Sequence, residues 1–113
     1  MKTVTLSVAA RDETQRRVLG AFAGKPQGAF ISFESPELLF KLLSGKRWEL
    51  LRAMQGAGPI TLREAARRAH RDVKAVHSDV HALLDAGILR RAADGKIEFP
   101  FDAVRVDFLL RAA

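Results

Sequence analysis

Ten residues between positions 61 and 96 carry hydrogen-bond donors or positive charge at spacings that bring them together: Thr61, Arg63, Arg71, Lys74, His77, Ser78, His81, Arg90, Arg91 and Lys96. Arg and Lys donate to phosphate oxygens and to guanine edges, Ser and Thr donate to phosphate or base, and neutral imidazoles donate from one nitrogen. The set fits a polyanion better than a small neutral substrate. His77 and His81 are four residues apart, the spacing of two zinc ligands on one helical turn. No cysteine is present to complete such a site, no H-E-x-x-H motif occurs, and a third ligand would have to come from His70, Asp85 or a distant acid. No metal and no cofactor are expected. Catalysis is not expected either, because the chain has no Gly-rich phosphate loop, no G-x-S-x-G and no thiol nucleophile.

Local signals place these residues on a specific series of elements. Thr61-Leu62-Arg63-Glu64 has the form of a capping box, in which the first and last residues satisfy each other's backbone donors. It opens a short helix over 62–69 with Leu62, Ala65, Ala66 and Ala69 inward. His70 and Arg71 form a tight turn. Asp72 caps a longer helix over 73–86, in which Val73, Val76, Val80, Leu83 and Leu84 form one apolar stripe. Removing that stripe leaves Arg71, Lys74, Ala75, Ser78, His81 and Ala82 outward, with His77 at the flank and Asp79 placed to pair with a nearby cation. Gly87 ends the helix. A strand over 88–91, an Asp94-Gly95 turn and a strand over 96–99 make a β-hairpin carrying Arg90, Arg91 and Lys96.

The preceding residues supply the support. Val4, Leu6 and Val8 alternate with Thr3, Thr5 and Ser7, a strand with one buried face. A helix over 11–23 and a strand over 29–33 follow. Ser35-Pro36-Glu37 starts a helix with Leu38, Leu39, Leu42 and Leu43 on its apolar side. A further helix over 46–55 offers Trp48, Leu50, Leu51 and Met54. Residues 104–110 are expected to form a last strand. The architecture expected is α+β: an N-terminal strand-helix-strand appendage over 1–34, and a winged helix-turn-helix over 35–113.

The 113 residues allow one domain with a short appendage. Apolar residues make up 48%, enough for a core, and the net charge of +6 favours a polyanionic partner. No apolar run approaches the roughly 18–20 residues that cross a bilayer, and the N-terminus lacks the apolar core of a signal peptide. A cytoplasmic protein without a membrane partner is expected.

The stretch from Phe33 to Phe108, above all RDVKAVHSDVHALLDAGIL at 71–89, resembles small prokaryotic MarR-like winged-helix regulators. The resemblance implies transcriptional regulation, often as the antitoxin of a toxin–antitoxin pair. The expectation drawn is a repressor that binds double-stranded DNA sequence-specifically as a homodimer. The 73–86 helix lies in the major groove, the 88–99 hairpin serves as wing, and half-sites sit roughly 34 Å apart. The N-terminal segment is the expected dimer contact. The alternative is an antitoxin that covers a partner toxin, with DNA binding secondary.

Overall fold

Alternation of Thr and Ser with Val and Leu near the N-terminus produces the central strand of a three-stranded sheet. The structure, a computed structural model, describes residues 2–8 and 29–108. The helix expected over 11–23 lies outside the described residues. Strand β1 (Thr3–Val8) is flanked by β2 (Ala29–Phe33) and by the last strand, β5 (Ala103–Asp107), and both pairings are parallel. The register sets Leu6 beside Ile31 and Val106, and Thr5 beside Phe30 and Arg105. Val4, Leu6 and Val104 therefore share one face, and Thr3, Thr5 and Arg105 the other. β5, expected as a terminal strand of the C-terminal unit, thus completes the N-terminal sheet. The Lys2 backbone N–H donates to Asp102 Oδ2 at 2.7 Å and fixes this entry.

Four helices follow β2 in sequence. Helix α1 (Pro36–Leu42) begins where the Ser35 hydroxyl accepts from the Leu38 N–H at 3.3 Å, with Pro36 at the first helical position. Helix α2 (Gly45–Met54) is capped the same way by Ser44 on the Arg47 N–H. Helices α3 (Leu62–Ala69) and α4 (Val73–Asp85) come next, and α3 packs against both α2 and α4. A hairpin of β3 (Arg90–Arg91) and β4 (Ile97–Glu98) closes the series. Its strands are shorter than the sequence pattern suggests: Ile88 and Leu89 are buried in the core rather than paired.

One continuous core joins the sheet to the helices. It contains Val4 and Leu6 from β1, Leu39 from α1, Leu50, Leu51 and Met54 from α2, and Val76, Val80 and Leu83 from α4. Each such aliphatic side chain contributes about 1.5–3 kcal/mol through burial. Three expectations about the apolar faces do not hold. Trp48 is 40% exposed, Val73 is 38% exposed, and Leu38 is likewise exposed.

The C-terminus of α4 shows why Gly87 is needed. The Ile88 N–H donates to the Leu83 carbonyl and the Gly87 N–H to the Leu84 carbonyl, both at 3.0 Å. That paired closure requires a left-handed residue between them, and Gly87 supplies it at φ 85°. No helix among the described residues is long and apolar enough to cross a membrane.

Candidate nucleic-acid interface

Small side chains let α3 lie close to its neighbours: Ala65 and Ala66 are fully buried between them. At its start the Thr61 hydroxyl accepts from the Glu64 N–H at 3.1 Å. The other half of the expected capping box is absent, because the Glu64 carboxylate turns to Arg67 and Arg68. Arg67 binds it through Nε at 2.7 Å and Nη2 at 2.5 Å, and Arg68 through Nε at 2.9 Å. These hydrogen bonds, Arg67's first, hold the Glu64 carboxyl down at about 2.

The α3–α4 turn is three residues long. His70 adopts the left-handed conformation, φ 55° and ψ 45°, where glycine is usual. With that residue reversed, the Arg71 N–H reaches the Ala66 carbonyl at 3.0 Å and the His70 N–H reaches Arg67 at 3.2 Å. Asp72 then caps α4 by accepting from the Lys74 N–H at 3.2 Å.

Helix α4 has two polar sides with opposite fates. Lys74, His77, Ser78 and His81 recur at i, i+3, i+4 and i+7, so they form one stripe, and all four are exposed. The His77 and His81 rings lie 4.1 Å apart, and His81 Nδ1 is 2.9 Å from the His77 carbonyl oxygen. A carbonyl only accepts, so His81 Nδ1 is the donor in that contact. No group of three or more His, Asp or Glu able to hold a metal gathers among the described residues.

On the other polar side stands Asp79, with a side chain only 14% exposed. Arg47 of α2 donates to it through Nε at 2.9 Å, and Arg71 Nη2 lies 2.7 Å from its second oxygen. The Arg71 approach is a contact ion pair by distance, with the N–H not aimed at the oxygen, and Arg71 Nη1 is buried without a partner. Burial pushes the Asp79 carboxyl up, but the two guanidiniums outweigh it and hold the group below the usual aspartate value. Arg47 also donates to the Lys41 and Leu42 carbonyls at the end of α1. Arg71, expected on the outward face, is instead a strut between the turn, α4 and α2, because Asp79 draws it inward. The sequence raised pairing for Asp79 but not the part of Arg47, which stands 32 positions away.

The hairpin is anchored to the start of α3. Ile60, directly before Thr61, exchanges two backbone hydrogen bonds with Ile97 at 2.9 and 2.8 Å. Asp94 and Gly95 both adopt positive φ and make its turn. Arg90 is held across the hairpin by Glu98, at 2.8 Å from Nε and 2.7 Å from Nη2. Arg91 is exposed, and Lys96 is half-buried. Thr61 and Arg63 are exposed at the start of α3, though the Thr61 hydroxyl serves its cap.

Seven of the ten expected residues thus present exposed polar groups without an ion pair among the described residues: Thr61, Arg63, Lys74, His77, Ser78, His81 and Arg91. A cavity of about 250 Å³ lies elsewhere, between α2 and residues 99–104, and none of the ten lines it.

The family model HVO_A0114 matches residues 42–106. The chain belongs to the HVO_A0114 family. The HVO_A0114 match runs from the end of α1 through most of β5, so it contains all ten residues and leaves out β1 and β2. No curated protein matches the chain.

Proposed function

We propose that this chain is a winged helix-turn-helix protein that binds double-stranded DNA and regulates transcription. In this reading α4 is the recognition helix, and the β3–β4 hairpin is the wing. The observation that carries it is the α4 stripe: Lys74, His77, Ser78 and His81 stand exposed together, while Asp79, in the middle of the helix, is turned inward and neutralised, and the exposed Asp85 stands only at the helix's last residue.

The chemistry follows from that division. An unpaired carboxylate in the middle of α4 would repel phosphate. With Asp79 withdrawn, Lys74 can donate to a guanine edge, Ser78 to a base or phosphate, and the histidines to phosphate. Lys74 lies in the first turn of α4, the end of a recognition helix that meets base edges. Arg63 at the start of α3 and Arg91 on the hairpin are exposed and suit backbone phosphates.

Fluorescence anisotropy with a duplex from upstream of its own gene tests the proposal. Binding should resist excess unrelated duplex, and log affinity should fall linearly with log salt, by about 0.9 per phosphate contacted. Equal affinity for every duplex, unchanged by Lys74→Ala and Ser78→Ala, would overturn it.

A further inference from the structure

The sheet of β2, β1 and β5 leaves the outer edge of β5 without a strand partner among the described residues. An edge strand offers a row of N–H and C=O groups, and proteins commonly blunt it with charge. Here the charges have an order that does the opposite. β5 reads Ala103-Val104-Arg105-Val106-Asp107, and Arg105, Val106 and Asp107 are all exposed. By register with β1, Val104 and Val106 lie on the apolar face of Val4 and Leu6, while Arg105 and Asp107 lie on the face of Thr5 and Ser7.

Two copies of this edge can meet antiparallel about a two-fold axis perpendicular to the sheet. Opposed residues must then lie on the same face, which limits the centre of pairing to a residue. Centred on Arg105, the guanidinium faces its own copy. Centred on Asp107, two carboxylates collide. Centred on Val106, each Arg105 faces the second copy's Asp107, Val106 faces Val106, and Val104 faces the second copy's Phe108. Every opposed pair is then complementary, in charge on one face and in apolar character on the other.

A second observation marks the same edge. Phe40 of α1 is 59% exposed and Val106 is 43% exposed, and the Phe40 ring meets Phe108 edge-on at 5.6 Å. This apolar patch runs beside the strand, where a second copy pairing through β5 would cover it. We infer that the chain forms a homodimer by antiparallel β5–β5 pairing centred on Val106, making one continuous six-stranded sheet. Because the axis is perpendicular to that sheet, the described helices of both copies, which pack on the Val4 and Leu6 face, lie on the same side of it. The contact therefore differs from one made by the N-terminal segment, and it does not depend on what the α4 stripe binds.

Charge exchange tests the register. Sedimentation velocity on the full chain, without DNA, should give a mass approaching two chains as concentration rises. Arg105→Asp alone sets two acids opposite each other, and Asp107→Arg alone sets two bases opposite each other. Each should weaken self-association roughly tenfold or more, since two symmetric pairs change from attractive to repulsive. Combining both changes in one chain should restore the dimer. Mixing the two single variants should also restore it, because each Asp then meets an Arg. A wild-type chain that stays monomeric throughout, single variants that associate like wild type, or a double variant that stays monomeric would each overturn the inference. Circular dichroism of every variant separates loss of pairing from loss of fold.

Discussion

Arg71 and Lys74 are two cations three positions apart at the start of one helix, and the fold uses them in opposite ways. Arg71 is drawn under the turn by Asp79 and shares that carboxylate with Arg47. Lys74 is exposed and has no ion pair among the described residues, since the nearby Asp72 carboxylate accepts from its backbone N–H instead. The lesson is that positive charge counted along a helix is not the charge a ligand meets. What decides availability is whether an acid elsewhere on the surface of the helix has already claimed the cation. Arg67, Arg68 and Arg90 make the same point, since Glu64 and Glu98 hold them.

The strongest way to break this contrast is to remove what both sides stand on. Leu83→Ala leaves a cavity under α4 and should cost about 2–5 kcal/mol of stability. Chemical denaturation reads it, and a cost near zero would mean that α4 is not seated on this core.

Asp79→Asn attacks the buried side alone. It leaves two guanidiniums short of their counter-charge and should cost about 1–3 kcal/mol at neutral pH. The sign with pH follows from a lowered carboxyl. The stabilisation is fully present above the unfolded aspartate value of about 4, and it disappears as pH falls through the lower folded value. Denaturation midpoints taken from pH 7 down to pH 3 should therefore converge for wild type and variant at the acid end. Glu64 titrates in the acid range in both proteins and does not alter their difference. Parallel curves at every pH would dissociate Asp79 from the effect.

The exposed side should answer to binding, not to folding. Lys74→Ala should leave stability within about 0.5 kcal/mol and weaken DNA binding by on the order of 1–3 kcal/mol if Lys74 reads a base. A loss shared equally by all duplexes would make it a phosphate contact instead. Arg71→Ala should show the reverse pattern, with stability falling first. The smallest effect is expected in the turn between them. His70→Gly relieves a left-handed residue and should add about 1 kcal/mol or less to stability. A destabilised variant would point to a role for the His70 side chain that outweighs its backbone strain.

Local signals were legible from the residues because the physics behind them is local. Ser35, Thr61 and Asp72 cap helices where their hydroxyl or carboxylate can reach an N–H two or three residues on. Val76, Val80 and Leu83 face the core because they recur at the helical period. Asp94-Gly95 turns the hairpin because both adopt positive φ. What escaped depends on distant partners. The pairing of β5 with β1 joins residues a hundred positions apart, and no periodicity encodes a strand's neighbour. Glu64 looked like half of a capping box, yet two arginines one turn further on offered stronger, charge-assisted bonds. Val73 fitted the stripe by spacing, yet it stands 38% exposed at the first residue of α4.

The position of β1 at the centre of the sheet bears on how the chain is made. Its second neighbour, β5, emerges about a hundred residues later, so during synthesis one side of β1 has nothing to bind. Pairings this remote in sequence are slow to form, and an unpaired apolar strand is prone to stick to other chains. The helices and the hairpin can assemble meanwhile from near neighbours. The sheet can therefore be complete only once the stretch from Ala103 to Asp107 has been made, almost at the end of synthesis.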